Sequence, residues 1–275
     1  MNHIKKRVLF ILMCALVYGQ PIRTQMSVPS NIDSSIYAQK SVVNVMPLER
    51  QIGKKHSGDI KALVENSKPL TIDAWNRYVT NVQFGDIHYK STAKYNNKGI
   101  FVDIEGDAKK VGKSRYPYAE TMHEMGHHVD SSIARDKLKS DQCNASNMYI
   151  SKKYSCTLDE MFKTEANRYF AKIRKNTSSD KIAWLQIKKE LQKYSAKDSN
   201  EVSDIWDGAT NGKVYGYCAH SLMDKDYWNK VSVGNEGFAE IFEAEIVNPK
   251  GLLLIKKYFP KSYAIYKEIL SKSLS

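Results

Sequence analysis

Apolar residues recur every three or four positions along most of the chain, which is the spacing of one face of an amphipathic helix. Capping residues mark where several of these periodic stretches begin, as in the capping box Thr157-Leu-Asp-Glu160. The pattern predicts a helix that begins at Asn235 and helices over 57–65, 71–82, 158–173, 180–194, 199–206, 249–258 and 262–270.

Two stretches do not follow this period and are typical of strands. Val82–Lys90 alternates between apolar and polar residues, and Gly99–Ile104 is a short apolar run. Turn-forming residues lie between them, at Tyr95–Gly99. Strands and helices together predict an α+β fold, with a small mixed sheet packed on a central helix and a mainly helical C-terminal subdomain.

Composition supports a globular protein, because 42% of the 275 residues are hydrophobic and 17 of them are tyrosines. The net charge of +12 is spread along the chain and forms no basic block with interleaved aromatic residues. Nucleic-acid binding is therefore not expected. The positive charge does favour electrostatic contact with an anionic cell-wall or membrane surface.

The N-terminus shows a second distinct pattern. Lys5, Lys6 and Arg7 precede the apolar run 8–18, which is too short to cross a bilayer comfortably. This arrangement is typical of a secretory signal peptide, here residues 1–19, and an uncleaved membrane anchor is the alternative. Both interpretations predict an exported protein, either secreted or anchored at the outside of the membrane.

The rest of the chain divides at residue 56. Residues 20–56 are rich in Ser, Asn and Gln and are interpreted as a linker or a pro-segment, with a short strand at Val42–Met46. Residues 57–275 form one predicted folded domain, which is long enough to bury a full core.

Removal of the signal segment, which contains Cys14, leaves three cysteines. An odd number permits at most one disulfide. Cys143 and Cys156 flank a polar loop and could pair across it, or both could stay as thiols, while Cys218 is left over.

The segment His123-Glu124-Met-Gly-His127 holds two histidines four residues apart. On a helix they share one face, so each can direct a ring nitrogen to a single zinc ion at about 2.0–2.1 Å. Glu124 is adjacent to His123 and can reach a water molecule without binding the metal. This layout is typical of metal-dependent hydrolases, in which such a carboxylate accepts a proton from the water.

The residues around this motif predict a helix. Ser114 is a candidate cap, Pro117 suits a first turn, and an apolar stripe follows. Gly126 in the helix interior costs about 1 kcal/mol relative to alanine, which predicts that another element approaches closely there. His128 lies about 100° round the helix from His127 and cannot share its metal, so we expect a packed or surface side chain.

A catalytic zinc site needs a third protein ligand besides the two histidines. Glu236 and Glu240 are four residues apart in the helix that Asn235 is predicted to cap. Glu236 could bind the metal, while Glu240 could orient a ligand histidine through its second ring nitrogen. The same spacing fits a solvated acidic face near a helix N-terminus.

Resemblance to known proteins favours the metal-site interpretation. His-Glu-x-x-His followed by Asn235-Glu-Gly-Phe-Ala-Glu-Ile-Phe242 is similar to the gluzincin branch of zinc peptidases, especially the catalytic domain of anthrax toxin lethal factor and the Pro-Pro endopeptidases. It also resembles zincin-like domains attached to phage head-morphogenesis proteins, in which a Gly/Tyr/His loop like Tyr215–Trp228 precedes the glutamate. The resemblance covers roughly residues 80–275.

This resemblance implies a zincin-like fold with one Zn²⁺ per chain. It implies His123, His127 and Glu236 as the metal ligands and Glu124 as the catalytic base.

The loop before the third ligand departs from the family pattern. Lethal factor has a tyrosine seven residues before its glutamate ligand, where this chain has Asn229, and Tyr227 lies two positions earlier. Tyr227 and His220 are the two candidates to donate a hydrogen bond to the oxyanion of a tetrahedral intermediate. The alternative is that this Tyr- and Trp-rich loop only packs.

We therefore expect an exported zinc-dependent endopeptidase that acts as a monomer on a peptide or protein substrate. Two alternatives remain: a catalytically silent zincin-fold surface protein that binds anionic cell-wall polymers, and a zinc amidase that acts on cell-wall peptides. The intact Glu124 favours an enzyme, because a purely structural metal site needs no base beside it.

Overall fold

Most of the described residues are helical, as the apolar period predicts. The computed structural model describes residues 42–85, 93–96, 99–109, 115–216 and 219–275. Its helices are α1 (Met46–Glu65), α2 (Pro69–Tyr78), α3 (Ile104–Ala108), α4 (Ala119–Lys137), α5 (Ala145–Met148), α6 (Leu158–Arg174), α7 (Asp180–Leu191), α8 (Ala196–Ala209), α9 (His220–Met223), α10 (Tyr227–Lys230), α11 (Val233–Ile246), α12 (Pro249–Tyr258) and α13 (Pro260–Lys272).

A small mixed sheet precedes α4, the helix that contains the histidine motif. Its strands are β1 (Phe84–Gly85), β2 (Lys94–Asn96) and β3 (Gly99–Phe101), with β3 in the centre. Ile100 of β3 pairs in parallel with Phe84 and in antiparallel with Tyr95. The predicted α+β class with a small mixed sheet is therefore confirmed.

The strands differ in extent from the prediction. The predicted turn Tyr95–Gly99 begins inside β2, because Tyr95 and Asn96 pair with β3. Ile104 was expected to end a strand but begins α3, since the Asp103 side chain caps that helix by accepting a hydrogen bond from the Gly106 N–H at 2.9 Å. Positions 86–90 lie outside the described residues.

The N-terminal part of the described chain is not the linker that its composition suggests. Residues 42–45 form no strand, and α1 follows them directly, with a kink at Gly53, where φ is 81°. Leu48 of α1 is fully buried, and the Trp75 indole donates a hydrogen bond to the carbonyl of Asn44 at 2.9 Å. These contacts attach this segment to the core.

The described half of the predicted linker, residues 42–56, therefore belongs to the compact unit Lys40–Ser275. The signal segment predicted at 1–19 lies outside the described residues, so export stays a prediction. Of the helices that the structure describes, none is both long and apolar enough to cross a membrane.

Helix α4 is capped by a residue from another helix. It begins at Ala119, after the expected first-turn Pro117, and the expected cap Ser114 lies outside the described residues. Asp107 of α3 instead accepts hydrogen bonds from the backbone N–H of Thr121 at 2.8 Å and from its hydroxyl at 2.6 Å. Helix α4 is thus fixed at its N-terminus by the element that follows the sheet.

Two further helices begin before their predicted caps. Ser195, rather than Ser199, caps α8, and Ser232, rather than Asn235, caps α11. The capping box predicted at Thr157 is confirmed, with both of its reciprocal hydrogen bonds. Misplaced starts occur where serine or asparagine residues lie close together, because several of them suit a cap equally well.

Helices α4 and α11 pack closely against each other. Gly126 of α4 lies against α11: a Cβ at this position would be 2.7 Å from the Cα of Ala239 and 3.1 Å from the Cβ of Phe242. Every residue of α11 except Asn235 is buried. The close approach predicted at Gly126 is therefore confirmed.

Cys143 and Cys156 are both free thiols, so the disulfide considered between them does not form. Cys143 is exposed, and Cys156 is partly buried. Cys218 lies outside the described residues.

Replacement of Gly126 by alanine tests the helix crossing. Alanine should favour the helix by about 1 kcal/mol, but the added methyl group would overlap Ala239, and overpacking of this kind costs about 1–3 kcal/mol. We expect a net loss in the free energy of unfolding, measured by urea denaturation in the presence of a chelator.

Gly58→Ala is the matched control, because a Cβ at this interior position of α1 would meet nothing within 4 Å. That variant should be at least as stable as the wild type. Equal stabilities for Gly126→Ala and Gly58→Ala would contradict a close crossing.

Candidate metal centre

Three side chains from α4 and α11 converge on one point. His123 and His127 present Nε2 atoms that are 3.1 Å apart. Glu236, in the first turn of α11, places Oε2 3.3 Å from the Nε2 of His123 and Oε1 3.6 Å from the Nε2 of His127. These residues form a group that could hold a metal ion.

The separations between the donor atoms suit a metal ion. Two atoms bound at about 2.1 Å to one zinc ion, at a tetrahedral angle, lie about 3.4 Å from each other. The measured separations of 3.1, 3.3 and 3.6 Å bracket that value. Two imidazoles and one carboxylate are also a donor set of known catalytic zinc sites. The residues therefore fit a divalent ion such as zinc.

The electrostatics of the group favour positive charge. Burial alone would lower the pKa of both rings, but the Glu240 carboxylate at His123 and the Glu236 carboxylate at His127 outweigh it and raise both pKa values. Burial alone would raise the pKa of Glu236, yet His127 and His123 hold it well below the ordinary range. A buried carboxylate that stays ionised between two imidazoles is suited to a cation.

His127 is oriented through its second ring nitrogen. Its Nδ1 lies 3.2 Å from Oδ1 of Asn235, which also accepts a hydrogen bond from Nδ2 of Asn144 at 2.6 Å. Asn144 directly precedes α5, and Asp130 of α4 anchors that helix by accepting hydrogen bonds from the N–H and hydroxyl of Ser146 at 2.8 and 2.5 Å. Asn235, expected to cap α11, thus contacts the histidine instead.

His123 faces two carboxylates with its second ring nitrogen. Its Nδ1 lies 3.3 Å from Oε1 of Glu240 and 3.5 Å from Oε2 of Glu243. Both glutamates are 0% exposed, so the alternative of a solvated acidic face is wrong. Glu240 lies close to Nδ1, where its predicted role places it. Glu243 was missed, although seven-residue spacing from Glu236 places it on the same helix face.

Further buried charge lies behind this pair of carboxylates. Burial, together with the neighbouring acidic groups of α11, raises the pKa of Glu201 and of Asp204, both on α8. The Arg115 guanidinium lies 4.0 Å from Oε1 of Glu240. In the amide orientation that its surroundings require, the Asn200 oxygen accepts two hydrogen bonds from Arg115, at 2.9 and 3.0 Å.

The ligand group opens into a cavity of about 460 Å³ whose lining includes residues of β2, α4, α9, α10 and α11. Glu124 lies on its wall, and the backbone of Tyr95 hydrogen-bonds the carboxylate. Burial raises the pKa of Glu124 above its ordinary value. A carboxylate with a raised pKa is a better proton acceptor near neutral pH.

Both predicted oxyanion donors line the same cavity. Tyr227 donates a hydrogen bond from its hydroxyl to Oε1 of Glu236 at 3.1 Å, and its ring stacks on His220 with 4.2 Å between centroids. Burial raises the pKa of the Tyr227 phenol and lowers the pKa of His220, so the phenol keeps its proton near neutral pH. Asn229, at the position of the tyrosine in lethal factor, is exposed.

His128 is a packed residue, as the helix geometry predicts. Its Nε2 lies 3.0 Å from the carbonyl of Tyr78, and its ring meets that of Tyr95 edge to face. Burial lowers the pKa of His128 and thereby favours the neutral ring.

Comparison with known proteins adds no family assignment. No protein-family model, curated protein or solved structure matches this chain. Any assignment of function therefore rests on the residues of the cavity and their geometry.

The burial of Asp130, which anchors α5, can be tested through the pH dependence of stability. Burial raises the pKa of Asp130 to about 7, from the 3.8 expected in the unfolded chain. The folded state holds this proton more tightly, so the resulting stability is present below about pH 4 and is lost as the pH rises to about 7. We expect the free energy of unfolding of wild type, relative to Asp130→Asn, to fall across this window in urea titrations.

A difference between wild type and Asp130→Asn that stayed flat across this window would mean that the carboxyl ionises equally well in both states and that burial does not govern it.

Proposed function

We propose that this chain is an exported zinc-dependent endopeptidase with a zincin-like fold. The proposal rests on the position of Glu124. Its carboxylate shares the cavity with His123, His127 and Glu236 but lies outside that ligand group, with its pKa raised by burial. A base beside an enclosed metal site is what water-dependent hydrolysis requires.

The roles of the side chains follow from their places. His123, His127 and Glu236 would hold the zinc, which when bound polarises a carbonyl and acidifies a water. Glu124 takes a proton from the attacking water and passes it to the nitrogen of the leaving amine. The ionised state of Glu236, held by the two imidazoles, keeps this carboxylate ready to bind a cation, whereas each ring must release any proton on Nε2 when the metal binds.

Tyr227 would supply the donor for the developing oxyanion. Its hydroxyl lies at the ligand group, 3.1 Å from Glu236, and a protonated phenol there can turn to a substrate oxygen. His220 supports the ring of Tyr227 by stacking on it. Because stacking fixes the ring, only the hydroxyl has to redirect its hydrogen bond during the reaction, and a donor that reorganises so little is effective.

The architecture supports a zincin-like fold. The mixed sheet packs on α4 through β2 and β3, and the helical part that follows supplies the third ligand from α11. Burial of Glu124 beside the ligand group favours hydrolysis over a silent surface protein, which would gain nothing from an acid kept out of water. Digestion of a peptide library distinguishes an endopeptidase from a cell-wall amidase, since only the former cleaves linear peptides internally.

Replacement of the base should remove turnover but not the metal. We expect Glu124→Gln to bind one zinc per chain and to cleave a mixed peptide library at least 10²–10⁴-fold more slowly, because proton transfer loses its acceptor. Zinc content by atomic absorption and cleavage rates by mass spectrometry measure the two properties separately. Normal turnover in this variant would contradict the mechanism.

Replacement of the third ligand, in contrast, should remove the metal. Glu236→Gln should lose zinc in dialysis against a weak chelator, whereas Asp226→Asn, which removes an exposed carboxylate from the same region, should keep it. Equal retention by both variants would mean that Glu236 is not a ligand.

The phenol should act on turnover rather than on binding. Tyr227→Phe is expected to lower kcat roughly 10²-fold, with KM and zinc content nearly unchanged, as for an interaction made only in the transition state. Tyr215→Phe, in the loop before α9 and away from the cavity lining, is the control and should keep wild-type rates.

Two other results would change the assignment of the donor. If Tyr227→Phe is silent and His220→Ala alone stops turnover, the imidazole is the donor. If neither change affects kcat, the side chains of this loop only pack.

A further inference from the structure

Helix α11 places an acidic stripe against α4. Glu236, Glu240 and Glu243 occupy positions i, i+4 and i+7, which share one helix face. In a buried helix this stripe is normally apolar, as the neighbouring Phe238 and Phe242 are. Glu236 belongs to the ligand group, so the burial of the other two carboxylates needs its own explanation.

Glu240 and Glu243 converge on the same atom. Their oxygens lie 3.3 and 3.5 Å from Nδ1 of His123. Among the described residues, no hydrogen bond reaches either oxygen of Glu240 or Glu243, and Nδ1 of His123 has none either. Buried polar atoms without partners are costly, so these groups are best understood as partners of one another.

We propose that Glu243 is a positioning residue that acts together with Glu240 to hold the Nδ1–H of His123, so that Nε2 faces the metal. The inference rests on the zinc centre of the proposed function, though not on hydrolysis. A histidine that binds a metal through Nε2 carries its proton on Nδ1. Acceptors from two successive turns of α11 restrict the ring more than one acceptor could.

The second carboxylate also changes the ligand itself. Negative charge beside an Nδ1–H makes the opposite ring nitrogen more basic and hence a stronger metal ligand. Arg115, 4.0 Å from Glu240 and held by Asn200, offsets part of this buried charge. The arrangement allows both acids to lie beside one imidazole without full mutual repulsion.

Zinc affinity measured by competition with a chromophoric chelator tests this role. We expect Glu243→Gln and Glu240→Gln each to bind zinc about 10–100-fold more weakly than wild type, the range for residues that orient a metal ligand. The double variant should bind more weakly than either.

Glu245→Gln is the matched control. Glu245 is also a buried acid of α11, but it contacts Thr71 and Tyr263 and not His123. Its replacement removes the same charge from the same helix, so it should lower the free energy of unfolding but leave zinc affinity at the wild-type value. If Glu243→Gln does not fold, Glu243→Asp keeps the charge, shortens the reach, and should also weaken zinc binding.

The NMR signal of the His123 Nδ1–H proton would shift if Glu243 holds that proton, but not if Glu243 only stabilises the fold. In zinc-loaded protein with ¹⁵N-labelled histidine, the His123 Nδ1–H signal should shift in Glu243→Gln and stay in place in Glu245→Gln. Wild-type zinc affinity and an unshifted signal in Glu243→Gln would overturn this inference and leave the proposed function unaffected. A wild-type protein that binds no zinc would overturn the proposed function and this inference with it.

Discussion

The contact of α4 with α11 at Gly126 is the constraint on which the candidate metal centre depends. Two of the three ligands lie on one helix and the third on the other, so their separations follow from the distance between the helix axes. Metal–ligand distances tolerate changes of only about 0.2 Å, whereas a methyl group at Gly126 would meet the Cα of Ala239 at 2.7 Å. A glycine that offers no ligand atom itself therefore sets the size of the ligand triangle.

The helix crossing also explains how so much charge is accommodated inside the protein. Acidic side chains of α11 and α8 would be unfavourable in a core of this kind unless cations or hydrogen-bond donors met them. His123 and His127 face the acids of α11 from α4, and Arg115 lies 4.0 Å from Glu240. On α8, Glu201 accepts hydrogen bonds from the Asn248 side chain. The core thus gives up some stability for a cluster of ionisable groups, a common feature of functional sites.

Helical periodicity was enough to bring His123 and His127 together, because spacing along a helix determines which side chains share a face. For Glu236 the spacing fitted a metal ligand and a solvated face equally well, and only the resemblance to gluzincins favoured the ligand. Prediction failed where a partner came from a distant part of the sequence, as with the cap that Asp107 gives to α4. It also failed for Glu243, since an acidic residue every few positions has the same pattern on a solvated face and on a buried one. Only the packing of α11 on all sides distinguishes the two cases.

The candidate ligands lie on two helices that are far apart in the sequence. His127 and Asn235, neighbours at the centre, are 108 positions apart in the chain. Closing a loop of that length in an unfolded polypeptide costs about 4 kcal/mol in chain entropy. A metal ion bound to both helices would act as a removable cross-link and offset part of that cost. The supply of metal would then govern the persistence of the folded chain as well as the state of the centre.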